Sequence, residues 1–212
     1  MEIILAENHG FCYGVKRAVE MANEAANSDG KSYTLGPIIH NPQVVGRLED
    51  KGVSPVQEVS DIEEGTMIIR SHGVGPAIYE EAEEKGLHIV DATCPYVKKA
   101  QQDAKSVIED GMTLVILGEK NHPEVKSINL WANNKGIIIE DEESAKKLQI
   151  VEKMGVVVQT TFSQFKFNSI IDILEKKSKN LKVFKTICNA TQERQNSAVE
   201  LARNVDLMIV VG

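Results

Sequence analysis

Three cysteines, Cys12, Cys94 and Cys188, carry the plainest chemical signal in this chain. Each follows a short strand-like stretch and opens a helical one, beginning YGVKRAVEMANEAA, PYVKKAQQDAKSVIE and NATQERQNSAVELA. At a helix N-terminus the free amide N–H groups and the helix dipole favour the thiolate over the thiol. Pro95, directly after Cys94, suits a first helical turn, where no N–H need be bonded. Three converging thiolates could hold three irons of a 4Fe–4S cluster and leave the fourth open. They could instead hold zinc with a histidine as fourth ligand, but the close C-x-x-C spacing of local zinc motifs is absent. Taken singly, each cysteine is more simply a small buried hydrophobe. Three of them in the same setting are harder to explain that way.

That repetition extends well beyond the cysteines. A glycine follows each cysteine by 24 residues: Gly36, Gly118 and Gly212. After two of these glycines a histidine comes four residues on, in GPIIH (His40) and GEKNH (His122), with Pro42 and Pro123 nearby. The recurring order of strand, Cys, helix, strand and Gly implies three related α/β units with one cysteine each. Strand-like runs lie at Glu2–Leu5, Tyr33–Leu35, Met67–Ile69, His88–Val90, Thr113–Leu117, Ile137–Ile139, Val156–Val158, Lys182–Phe184 and Asp206–Val211. Helical segments lie at Val15–Ala26, Pro76–Lys85, Val97–Glu109, Phe165–Lys177 and Gln192–Asn204. Their alternation is that of parallel α/β folds. Glu2–Leu5 precedes Cys12 as His88–Val90 precedes Cys94, so the N-terminal strand completes the third unit and the chain closes like a ring. The expected organisation is residues 14–94, residues 95–187, and an incomplete third unit from 1–13 and 188–212. Small parallel sheets would surround a pseudo-threefold centre.

Composition narrows the partners. The 212 residues carry 24 Lys and Arg against 31 Asp and Glu, a formal charge of −7. A net-acidic chain without a basic block argues against nucleic acid or a membrane surface. A local pocket can still oppose that sign and take a small anion. The opening MEIILAENHGFC lacks the basic region and apolar length of a signal peptide, and no apolar run approaches membrane-spanning length. The expected compartment is the cytoplasm, where a disulfide framework has no place.

Seven motifs then occur in order: GFCYGVKRAVE, LGPIIHNPQVV, IIRSHGV, DATCPYVKKAQ, NHPEV, VVQTT and TICNATQERQ. From residue 3 to the end, the chain resembles the LytB family of 4-hydroxy-3-methylbut-2-enyl diphosphate reductases. The resemblance implies three α/β domains around a central 4Fe–4S cluster held by Cys12, Cys94 and Cys188. It further implies that His40, His72 and His122 surround the substrate, that Glu124 relays protons, and that Thr160 works with that acid at the substrate. The implied reaction reduces (E)-4-hydroxy-3-methylbut-2-enyl diphosphate to isopentenyl and dimethylallyl diphosphate, the last step of the non-mevalonate isoprenoid pathway. Ferredoxin or flavodoxin is the implied electron donor. An iron–sulfur dehydratase, or an inactive metal-binding fragment, are the alternatives. Two departures stand out. Asn121 replaces a glycine often found before His-Pro-Glu, and Ser127–Trp131 lacks the glycine spacing common there. Family members also continue past VVG with a Ser/Asn-rich loop and a later serine for the diphosphate, so the third unit is expected to expose apolar faces. Were the histidines cationic, anion affinity would fall as pH rises through roughly 6–7. His88 reads as a strand-face residue, and His9 matches no family role. The acidic runs Glu80–Glu84 and Glu140–Glu143 read as solvated faces.

Overall fold

The computed structural model describes residues 2–27 and 30–211. Gly212, third member of the glycine series, lies outside the described residues. Two four-stranded parallel sheets dominate. The first contains β1 (Ser32–Leu35), β2 (Val53–Val56), β3 (Thr66–Ile69) and β4 (His88–Asp91), in the order β2-β1-β3-β4. The second contains β5 (Thr113–Leu117), β6 (Ile137–Ile139), β7 (Val151–Val158) and β8 (Ser178–Phe184), in the order β6-β5-β7-β8. The two orders are the same pattern, so the repeat in the sequence is a repeat in topology.

Helices cover both faces of each sheet. Around the first lie α1 (Tyr13–Ala26), α2 (Pro42–Glu49) and α3 (Pro76–Glu84). Around the second lie α4 (Pro95–Glu109), α5 (Pro123–Trp131), α6 (Glu142–Lys147) and α7 (Gln164–Leu174), and α8 (Asn189–Ala202) follows. Strands buried on two faces read as near-continuous apolar runs, and after an opening threonine β3 (TMII) and β5 (TLVIL) do so. Along β5, Val115 and Leu117 pack with Phe167, Ile170 and Leu174, whereas Leu114 and Ile116 pack with Ala100, Ala104, Val107 and Ile128. The first sheet is divided likewise. Ile68 meets Ala18, Ala22 and Leu48 on one side, and Met67 and Ile69 meet Ala82 on the other. No helix among the described residues is long and apolar enough to cross a membrane.

The seven internal strand expectations from Tyr33–Leu35 to Lys182–Phe184 are met, with β7 and β8 longer than their apolar cores suggested. The two outer ones are not. Residues 2–5 and 206–211 form no strand, because neither has a hydrogen-bonded neighbour among the described residues. Their apolar side chains stand in solvent: Ile3 is 78% and Val211 90% exposed. The expected ring closure exists as contact without a sheet. The Asn8 N–H donates to Ser197 Oγ on α8 (3.0 Å), and Arg194 donates to the Gly10 carbonyl (2.7 Å). Four further elements, β2, α2, α5 and α6, went unread in the sequence.

Candidate functional site

In a doubly wound sheet the ligand crevice opens at the carboxyl ends of the strands where the winding reverses. Here those places lie between β1 and β3 and between β5 and β7. The loops leaving β1 and β3 carry His40 and His72; the loop leaving β5 ends at His122, with Glu124 in the first turn of α5, and the loop leaving β7 carries Thr160. Both switch points therefore contribute to one chamber. The ring centroids of His40 and His72 lie 4.4 Å apart, those of His72 and His122 5.5 Å, and those of His40 and His122 6.0 Å.

His122 is the N-cap of α5. Its Nδ1 accepts the backbone N–H of Glu124 at 3.2 Å. An imidazole whose Nδ1 accepts carries its proton on Nε2, so His122 offers a donor at the ring's other nitrogen. His72 Nδ1 is buried and has no hydrogen-bond partner among the described residues. Burial, then the charges of His40, His122 and Arg70, depress the His72 pKa to about 3. His122 is pushed down too, mainly by burial and then by His40, with Glu119 opposing and Arg70 adding to the fall. With its pKa held that low by burial, His72 is neutral near pH 7 and offers hydrogen bonds rather than charge. Nitrogen atoms of the three rings lie within 4.8 Å of one another, a spacing a metal ion could exploit. The positive charge of Arg70 beside them disfavours a cation and favours an anion.

Glu124 is 2% exposed. Thr160 meets both of its oxygens: the Thr160 N–H donates to Oε1 (2.6 Å) and the hydroxyl to Oε2 (2.8 Å). Burial raises the Glu124 pKa, while the two Thr160 donors pull it part of the way back. The net result is a weaker acid than an ordinary carboxyl group. A threonine hydroxyl can donate to a carboxylate and accept from a carboxylic acid, so the pair can pass a proton without reorganising the backbone.

The three cysteines are the N-caps of α1, α4 and α8, all are free, and all line one cavity of about 600 Å³. Gly14, in the first turn of α1, allows the closest approach. A Cβ there would sit 2.5 Å from Cys94 Sγ. Burial raises the Cys94 pKa, the Tyr96 and Val97 amides facing Sγ lower it, and the neighbouring Cys12 and Cys188 raise it again. None of the three histidine rings of the chamber lines this cavity, but main-chain bonds join the two places. The Cys94 N–H donates to the Ser71 carbonyl (2.9 Å), next to His72, and the Cys188 N–H donates to the Thr160 carbonyl (2.8 Å).

The sequence-derived residues thus fall into two adjoining groups: Cys12, Cys94 and Cys188 around the cavity, and His40, His72, His122, Glu124 and Thr160 around the chamber. His88 sits exposed on β4, as a strand-face residue should. His9 lines the cysteine cavity, a placement its sequence context did not signal. Two other residues went unread. These are Gly14, in the first turn of α1, and Arg70, just past β3. The sole trace of Arg70's position was its place two residues before His72.

The family model described as LytB protein matches residues 3–212. The 4-hydroxy-3-methylbut-2-enyl diphosphate reductase of Geotalea uraniireducens is 50% identical over 212 residues, which is 100% of this chain and 75% of that protein. The enzyme of the same name from Caldanaerobacter subterraneus is 47% identical and is matched over 75% of its length. A solved (E)-4-hydroxy-3-methyl-but-2-enyl diphosphate reductase, described as the terminal enzyme of the non-mevalonate pathway, superposes with a TM-score of 0.84 at 46% identity. The match covers 99% of this chain and 76% of that one. The Plasmodium falciparum E-1-hydroxy-2-methyl-but-2-enyl-4-diphosphate reductase superposes with a TM-score of 0.90 at 31% identity, over 97% of this chain and 67% of that one.

Proposed function

Because this chain belongs to the LytB protein family, we propose that it reductively dehydroxylates (E)-4-hydroxy-3-methylbut-2-enyl diphosphate to isopentenyl and dimethylallyl diphosphate. The observation that carries the reading is the convergence of three free thiols, each at a helix N-terminus, on one cavity joined to the histidine chamber. Per turnover, two electrons and two protons enter, the allylic C–O bond breaks, a C–H bond forms and water leaves.

The thiol donor set fits a 4Fe–4S cluster. Three soft sulfur ligands suit iron–sulfur chemistry, and the cavity of about 600 Å³ between them leaves room for it. Cys12, Cys94 and Cys188 would hold it. When bound, the cluster supplies the reducing equivalents and a Lewis-acidic iron left free by three-cysteine ligation. A small carrier such as ferredoxin or flavodoxin would deliver the electrons.

The chain's own residues do the rest. His40, His72 and His122 direct ring N–H groups at the diphosphate and fix its position. Glu124 holds a proton close to the chamber and releases it as the C–O bond breaks. Thr160 keeps both carboxyl oxygens in place, and its hydroxyl can hand the proton on. Residues 14–94 and 95–187 would each be one domain built on one sheet, with 1–13 and 188–212 belonging to a third.

Anaerobic purification followed by iron and sulfide analysis, visible absorption, and turnover with a one-electron donor tests the proposal. About four irons and four sulfides per chain, with turnover that stops when the donor is withheld, is the expected result. A colourless zinc protein, or water elimination that needs no donor, refutes it.

A further inference from the structure

Arg70 leaves β3 between the histidine loops, and its charge is uncommitted. Its Nε is buried without a hydrogen-bond partner, and its side chain makes no ion pair or hydrogen bond among the described residues. Gly36, at φ +69°, clears the way for it: a Cβ there would lie 2.7 Å from Arg70 Nη1. The guanidinium charge reaches both His72 and His122. Burying part of an ionised side chain without a counter-ion is unfavourable unless a ligand provides one. A guanidinium stays charged at any physiological pH.

Among the described residues no carboxylate forms an ion pair with Arg70. Glu119 acts on His122 and is not paired with Arg70. Glu124 is taken up by Thr160. The buried His72 is neutral and contributes hydrogen-bonding capacity without charge. A diphosphate brings several negative charges, and the neutral His72 balances none of them.

We infer that Arg70 is a substrate-binding residue, supplying the permanent positive charge to a diphosphate whose position the three histidines fix. The inference rests on the diphosphate reading given under Proposed function. Its geometry is that of a guanidinium between two strand-end loops, where planar, paired N–H donors can meet two phosphate oxygens at once.

The test uses the cluster-loaded protein, with inorganic pyrophosphate and the allylic diphosphate as probes. Arg70→Gln should weaken pyrophosphate binding and raise KM by about ten- to a hundredfold, with kcat and iron content nearly unchanged. The affinity should also depend less steeply on salt. Arg70→Lys should recover part of the loss, since it restores charge without the planar fork. In the unaltered protein, pyrophosphate should shield Arg70 from an arginine-selective dicarbonyl reagent, read by mass spectrometry, which keeps the inference testable if Arg70→Gln does not fold. Unshielded modification of Arg70, or a folded Arg70→Gln variant with normal pyrophosphate affinity while His122→Ala loses it, overturns the role of Arg70 and spares the histidines. If His122→Ala also binds normally, the diphosphate reading of the chamber itself fails.

Discussion

Lowering the pH from 7 to 5 should destabilise this protein through His72. Burial and the neighbouring positive groups bring its pKa in the fold to about 3, whereas an unfolded histidine titrates near 6.5. A depressed folded-state value means the native state resists a proton that the unfolded chain accepts. The stabilisation is therefore complete above the unfolded value and is lost as pH falls from there toward the folded one. At pH 5 the unfolded chain is largely protonated at this position and the native state is not. The resulting loss between pH 7 and pH 5 is about 2 kcal/mol. It hardly changes with the folded value so long as that value stays below about 4. The assay is urea unfolding of the metal-free, reduced chain at both pH values, beside His72→Gln. The substitution carries its own constant packing cost, so the informative quantity is the difference between the two pH dependences. The parent should lose about 2 kcal/mol more than the variant, and the His72 ring resonances should not titrate above pH 4 or so. Equal losses, or a His72 titration midpoint near 6, would refute the buried, neutral imidazole.

Three further outcomes follow from the site. Cys94→Ser should abolish or severely weaken cluster binding, because a neutral hydroxyl replaces a soft thiolate; normal iron content with normal turnover would remove Cys94 from the ligand set. Glu124→Gln should keep its iron but slow turnover by about 10²–10⁴, since an amide cannot relay a proton; iron loss without a specific catalytic defect would assign Glu124 a structural role. Gly14→Ala should lower iron retention while leaving circular dichroism unchanged, because the new Cβ would lie 2.5 Å from Cys94 Sγ; full iron occupancy would show that Cys94 can move without cost.

Much of the site was legible because local rules write it into the chain. The cysteines announce themselves as helix N-caps, and His40 and His122 through the repeat that also spaces Gly36 and Gly118. His72 and Thr160 needed the family resemblance for a physical reason. They join the site only because β3 lies beside β1 and β7 beside β5, and strand order is a long-range property. β2 escaped notice because Pro55 breaks a strand pattern, and it is tolerated there at a sheet edge. The short helix α6 was hidden in a run read as solvated acids. Residues 2–5 and 206–211 had strand-like composition, but composition cannot supply the hydrogen-bonded neighbour that makes a strand.

The segment that follows His72 is held from the other side of the molecule. Trp131 Nε1 on α5 donates to the Val74 carbonyl at 2.9 Å, and Ser127 on the same helix, bonded to Gln101 of α4 at 2.6 Å, reaches that carbonyl at 3.4 Å. This works as a cross-brace. Its anchor is on the second sheet's helices and its load is a loop of the first. The same helix α5 starts at His122, so one rigid rod sets the place of that imidazole at its head and steadies the loop of another along its flank. A displacement of that rod would therefore act on His122 directly and on the chain just beyond His72 through Val74.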